Sequence, residues 1–133
     1  MTLRRRDLQD LPPTLSGLPE WMAGRHPKPL SIGRVANGAI VGLGGRELRD
    51  HVRELALGLR ALGLQRGERL AIISESRPEW LHVDLAVQTL GAVDVPIYPT
   101  LSASQTEYIL RHCSARVAVA SSPEQLAQLR DVA

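Results

Sequence analysis

The chain has 133 residues, 44% of them hydrophobic and 23% charged, with a net charge of +2 at pH 7 and a single cysteine. That length predicts one domain, and that balance suits a globular chain with an aliphatic core, since aromatics make up only 3% and Phe is absent. The small charge argues against a nucleic-acid partner, one cysteine excludes an intrachain disulfide, and no apolar run approaches the ~20 residues of a membrane helix.

In chain order, residues 1–28 read as an N-terminal segment of loop, punctuated by Pro12, Pro13, Pro19 and Pro27. The basic run Arg4-Arg5-Arg6 is expected to be a solvated tail; no apolar stretch follows it, so it is not a signal peptide. A cytoplasmic location is the default expectation. At most one short helix fits the segment, near residues 15–24, with Leu18, Trp21 and Met22 packing inward. Residues 29–133 read as an incomplete α/β unit. It starts with two apolar runs, 30–35 and 39–43, on either side of Asn37-Gly38. Both of those residues tolerate positive φ, so a two-residue hairpin is predicted.

A helix is predicted over 46–62, where Leu48, Val52, Leu55, Leu59 and Leu62 share a face and Arg49, Asp50, Arg53 and Arg60 fall outside it. Gly63 is placed to end it in a left-handed cap. Residues 69–74 read as a buried strand. Ser76-x-x-Glu79 has the pattern of a capping box, with Pro78 in the first turn of the next helix. Residues 93–98 read as a second buried strand, and Ser102-x-x-Gln105 opens a helix to about His112. Residues 116–120 form a third strand, and Ser122-Pro123-Glu124-Gln125 opens the last helix, with proline at its first position. The runs 70–74 and 117–120 look buried on both faces, as parallel strands are. Strands alternating with helices predict right-handed βαβ crossovers and a parallel sheet. Three strands barely cover a sheet, so a portion of a larger domain is expected, or one that self-associates through uncovered sheet or helix faces.

The motifs that carry chemistry are mostly missing. Gly42-x-Gly44 precedes a helix, but Glu47 stands where a dinucleotide loop needs its last glycine, and the one lysine, Lys28, is far from any phosphate-loop position. His26, His51, His82 and His112 are scattered over separate elements without metal-ligand spacing. Cys113 has no base placed beside it by sequence, and Ser102, Ser104, Ser121 and Ser122 are best explained as helix caps. No catalytic constellation emerges, and no metal site is expected.

Between Leu55 and Leu129 a set of landmarks gives a resemblance: Gly58-Leu59, Gly63-Leu64, Arg66-Gly67-Glu68-Arg69, Arg77-Pro78-Glu79-Trp80, Gly91-Ala92-Val93 and Pro96-Ile97-Tyr98-Pro99-Thr100. Together they resemble the N-terminal region of AMP-forming acyl-CoA synthetases, members of the adenylate-forming superfamily. The Arg-Pro-Glu-Trp and Pro-Ile-Tyr-Pro-Thr wording is most similar to the long-chain fatty acyl-CoA ligase branch. Glu47-Leu48 match the usual entry to the first long helix, whereas the Thr-Tyr pair that precedes it in the family is absent.

The resemblance implies a parent enzyme that uses ATP, Mg²⁺ and CoA to activate a fatty acid through an acyl-adenylate. The phosphate loop, the adenine and ribose contacts and the C-terminal lid of that family lie downstream of the matching region. The chain is therefore expected to be a scaffold, inactive alone, whose partner is the remainder of the adenylation domain. In related acetyl-CoA synthetases the segment after the second strand lies against the CoA adenine. Alignment on Ser102 puts Tyr98, Pro99 and Thr100 on that segment, although Pro99 and Thr100 replace the family's glycines. Two readings of this turn stay open: a CoA-side contact, or prolines that fix the strand exit while Tyr98 packs. Two other functions also stay open for the whole chain, a non-enzymatic interaction or regulatory α/β module and a free-standing nucleotide-binding domain.

Overall fold

A computed structural model describes residues 11–25 and 27–132. Arg4-Arg5-Arg6 and His26 lie outside the described residues. A 3₁₀ turn, Leu15–Gly17, leads into α1, Leu18–Arg25. The hairpin strands are β1, Ile32–Ala36, and β2, Ala39–Leu43, followed by α2, Gly45–Ala61. Strand and helix then alternate: β3 Arg69–Ile73, α3 Pro78–Thr89, β4 Val93–Ile97, α4 Ala103–Cys113, β5 Val117–Ala120 and α5 Pro123–Val132.

The hairpin forms as its turn chemistry requires. Asn37 and Gly38 have φ of 51° and 76°, and Ala36 faces Ala39 across them in an antiparallel ladder. The other three strands make a parallel sheet in the order β4-β3-β5. Leu70 pairs with Asp94 on one side and Val117 on the other, and Ile73 with Ile97 and Ala120. The central strand β3 is the most apolar run and the best covered: Leu70, Ala71, Ile72 and Ile73 are at most 1% exposed.

The strand period of two divides the core between the two faces. Leu70 and Ile72 join Leu48, Val52 and Leu59 of α2 and Leu85 of α3. Ala71 and Ile73 pack on the opposite side with Ile97, Leu129 and the partly buried Ile109 and Leu110 of α4. Helices thus cover both sheet faces, the α/β architecture expected of the alternation. Helix α1 adds Leu18 and Met22 to the α2 side, and Glu20 reaches Arg53 at 2.6 Å.

Three local expectations are corrected. Leu62 does not join the core; it is 70% exposed. The helix stops at Ala61, the chain reverses at Gly63 with φ of 95°, and Leu64 takes the buried place instead, its amide donating to the Leu59 carbonyl. Ser76 does not cap α3. The N-cap is Arg77, in extended geometry, with Pro78 as the first helical residue. The ring of Pro78 disfavours the helical region for the residue before it, so the helix cannot start earlier. Neither edge strand is buried as read: in β5 Ala118 is exposed and its neighbours are half-buried, and in β4 Val93 and Pro96 are exposed, because both lie at a sheet edge.

The caps at Ser102 and Ser122 form as read, whereas Ser104 lies inside α4 and Ser121 turns its hydroxyl to Glu75 instead. The Ser102 amide donates to Gln105 Oε1 at 3.0 Å, and the Gln105 amide donates to Ser102 Oγ at 3.3 Å. The Gln125 amide likewise donates to Ser122 Oγ at 3.2 Å. Ser102→Ala is expected to lower stability by about 1 kcal/mol, read as a fall in the urea midpoint with an unchanged slope. No helix among the described residues is long and apolar enough to cross a membrane.

Candidate functional site

The carboxyl ends of β3 and β4 open onto a cleft of about 590 Å³, whose walls include Glu75, Arg77, Trp80, Tyr98 and Thr100. Open parallel sheets place ligands at this end of their strands. Its far wall is the segment after β4. Pro96 lies within β4, an edge strand, where a residue without an N–H is tolerated. The Leu101 amide donates to the Tyr98 carbonyl at 3.1 Å and closes a four-residue turn with Pro99 at its second position. Proline's fixed φ suits that position. The prolines therefore do set the strand exit. Tyr98, however, does not pack: it is 76% exposed and stands at the lip of the cleft.

The near wall is a polar network that the sequence did not reveal. Glu75 accepts a hydrogen bond from Ser121 Oγ at 2.6 Å and another from Gln125 Nε2 at 2.7 Å. Those bonds, the Ser121 hydroxyl foremost, hold its carboxyl below the usual range. Arg77 Nε donates to Glu79 Oε2 at 2.9 Å. That bond pulls the Glu79 carboxyl down to about 2 and raises the Arg77 guanidinium. Both carboxylates are ionised and already partnered, so neither is placed to accept a proton at neutral pH. The only sequence signal for this wall is Gln125 at the start of a helix; its partner Glu75 is 50 residues away.

The remaining candidates fall elsewhere. His51 and His82, read as unrelated, meet edge to face across α2 and α3 with ring centroids 4.9 Å apart. His82 is buried, and neither ring nitrogen has a hydrogen-bond partner among the described residues. Burial lowers its basicity first, and His51 adds to the effect. Cys113 is half-buried at the end of α4, its thiol 3.6 Å from the Leu110 carbonyl. Gly44 and Glu47 close on each other, the Gly44 amide donating to the Glu47 carboxylate at 2.8 Å. That carboxylate occupies the start of α2, where a phosphate would have to sit.

The profile of the family described as AMP-binding enzyme matches residues 22–133, most of the chain. The chain belongs to this AMP-binding enzyme family. Among the relatives of this chain is the long-chain-fatty-acid–CoA ligase FadD15 of Mycobacterium bovis, 43% identical over 76 residues, which are 57% of the chain and 13% of that ligase. An uncharacterized protein of Mycobacterium tuberculosis, Rv1549, is 31% identical over 74 residues, 56% of the chain and 42% of that protein. The N-terminal domain of FACL13 from Mycobacterium tuberculosis superimposes with a TM-score of 0.79 at 20% identity, over 88% of this chain and 29% of that domain. The last likeness shows the fold alone. The matching region is thus a small part of the ligase and under a third of the solved domain.

Proposed function

We propose that this chain is the N-terminal portion of an ATP-dependent, AMP-forming long-chain fatty acid–CoA ligase and that its own role is scaffolding. The observation that carries the reading is the 43% identity to a long-chain-fatty-acid–CoA ligase within a chain of the AMP-binding family. In this reading the whole enzyme takes a fatty acid and CoA, uses ATP and Mg²⁺, and works in the cytoplasm. The rest of its adenylation domain, in the same reading, extends the sheet from its edge strands, β4 and β5.

The residues present do not fit ATP or Mg²⁺. Among the described residues no group of three or more His, Cys, Asp or Glu converges, the cleft's one carboxylate, Glu75, is already partnered, and no lysine lines it. They do fit a planar ring. Tyr98 offers an exposed aromatic face on a turn stiffened by Pro99, which supports a CoA-side contact by Tyr98, Pro99 and Thr100.

The chain alone is expected to give no fatty-acid-dependent ATP–pyrophosphate exchange with palmitate; exchange above background would overturn the scaffolding role. Reading the coding sequence beyond Ala133 tests the parentage. A Thr-Ser-Gly-Thr-Thr-Gly-like phosphate loop there supports the ligase.

A second reading, a non-enzymatic interaction or regulatory module, is favoured by one observation. The 74 matched residues make up 42% of Rv1549, so that relative is itself far shorter than FadD15. An open reading frame that closes without the phosphate loop would favour this alternative.

A further inference from the structure

The opposite end of the sheet, where β3 and β5 begin, carries a feature that the ligase reading does not use. Arg60 stands in the last turn of α2, Arg66 in the loop to β3, and Arg116 immediately before β5. Arg60, Gly63, Leu64, Gln65, Arg66 and Leu90 line a hollow of about 490 Å³. Arg116 reaches over Gly63, where an added β-carbon would lie 3.8 Å from its Nη2. The stem of Arg66 crosses Gly91, where an added β-carbon would lie 3.2 Å from its Cγ. Three guanidinium side chains from three separate segments therefore border one concave surface.

None of the three has an ion pair or a side-chain hydrogen bond among the described residues, whereas Arg49, Arg53, Arg77 and Arg111 each have an acidic partner. Helix-end electrostatics accounts for Arg60 alone, since a cation in the last turn of a helix offsets the dipole there. Neighbouring Arg69 shows the structural use of an arginine at this end: its Nε and Nη2 donate to the carbonyls of Cys113 and Ser114 as α4 terminates. Arg66 and Arg116 have no such task. Glu68 is the sole acid in segments 62–68, 89–92 and 113–116, and its carboxylate accepts from the Gln65 amide at 2.7 Å.

A guanidinium presents a planar fork of donors matched to phosphate oxygens, and several unpaired ones around a small hollow leave that capacity unspent. Leu64 and Leu90 give the hollow an apolar floor able to take the organic part of a small ligand. We propose that Arg60, Arg66 and Arg116 form a binding site for phosphate groups at the amino end of the parallel sheet. Such a group comes from a soluble organic phosphate or from a lipid headgroup. The site stands apart from the Tyr98 cleft, at the other end of the strands, and does not depend on the ligase reading.

The test is a titration of the full chain with inorganic pyrophosphate, followed by NMR on the amides of Gly63, Arg66 and Gly91 and on the arginine Nε–H signals. Saturable shifts are expected. Binding should weaken at least tenfold in the triple variant Arg60→Gln, Arg66→Gln, Arg116→Gln and stay unchanged in Arg25→Gln. Far-UV circular dichroism checks that the variants keep the wild-type fold; all four positions are exposed.

Vesicles of phosphatidylcholine with phosphatidic acid separate the two sources. Co-sedimentation that pyrophosphate displaces assigns a lipid headgroup; pyrophosphate binding without co-sedimentation assigns a soluble phosphate. No saturable shift, or a shift that the triple variant retains, overturns the proposal.

Discussion

Leu70→Ala is expected to lower the unfolding free energy by roughly 2–5 kcal/mol. Leu70 is fully buried at the centre of β3 and packs on the cluster that Leu48, Val52, Leu59 and Leu85 bring from α2 and α3. Truncation there loses the transfer free energy of the side chain and leaves a cavity between a strand and two helices that cannot collapse together. Leu62→Ala is the matched control. Leu62 is 70% exposed beyond the last turn of α2, so its truncation should change stability by no more than about 0.5 kcal/mol. Urea denaturation of both variants checks the pair. Equal losses at the two positions would mean that the helix runs on past Ala61 and that the core is misassigned.

Acidification from pH 7.5 to 5 is expected to destabilise the chain, and His82→Leu should remove much of that slope. In the unfolded chain the imidazole takes up its proton near its ordinary value of 6.5. In the folded chain burial between α2 and α3 resists protonation, and His51 across the helix interface opposes it further. Glu79, one turn earlier on α3, favours the charge but is outweighed. The unfolded state therefore binds more protons below about 6.5, and stability is lost as pH falls through the lowered folded value.

Asp84 works the other way. Burial, and then Asp94 of β4, raise its carboxyl, so its contribution is full below its ordinary 3.8 and is lost as pH rises through the raised value. Because wild type and His82→Leu share Asp84, the difference between their urea midpoints at each pH isolates the histidine. A difference that does not vary with pH between 5 and 7.5 would show that His82 is not buried uncharged.

Much of the fold was legible because its determinants are local. Asn37-Gly38 dictated the hairpin turn, Gly63 the end of α2, and the Ser102–Gln105 pair the start of α4, each through backbone geometry or a bond within three residues. The Ser76 cap was misread for an equally local reason that was in view: Pro78 forces the residue before it out of the helical region. Leu62 was misread because periodicity looks only at the helix. Leu62 continues the helical stripe and Leu64 does not, so periodicity selected Leu62; the direction in which the chain leaves Gly63 puts Leu64 against the sheet instead.

The site was legible in part. The Tyr98 turn could be named because it is one contiguous stretch with prolines that restrict it. Its opposing wall could not be named. Glu75 meets Ser121 and Gln125 only because β5 lies beside β3, which brings residues 46 and 50 positions apart into hydrogen-bond range.

The sequence by itself determined the order of strands and helices, the caps and turns that bound most of them, and the family. Those features are encoded in short-range sterics, in periodicity, and in a contiguous run of landmark residues. The strand order β4-β3-β5, the meeting of His51 with His82, the Glu75 network, the flanking of one hollow by Arg60 and Arg66 and the reach of Arg116 over Gly63 came only with the packed fold. The reason is that parallel strands are joined by crossovers rather than by turns. Which segments become neighbours then follows from how the helices pack on both faces of β3, a global balance of buried surface that no local pattern records.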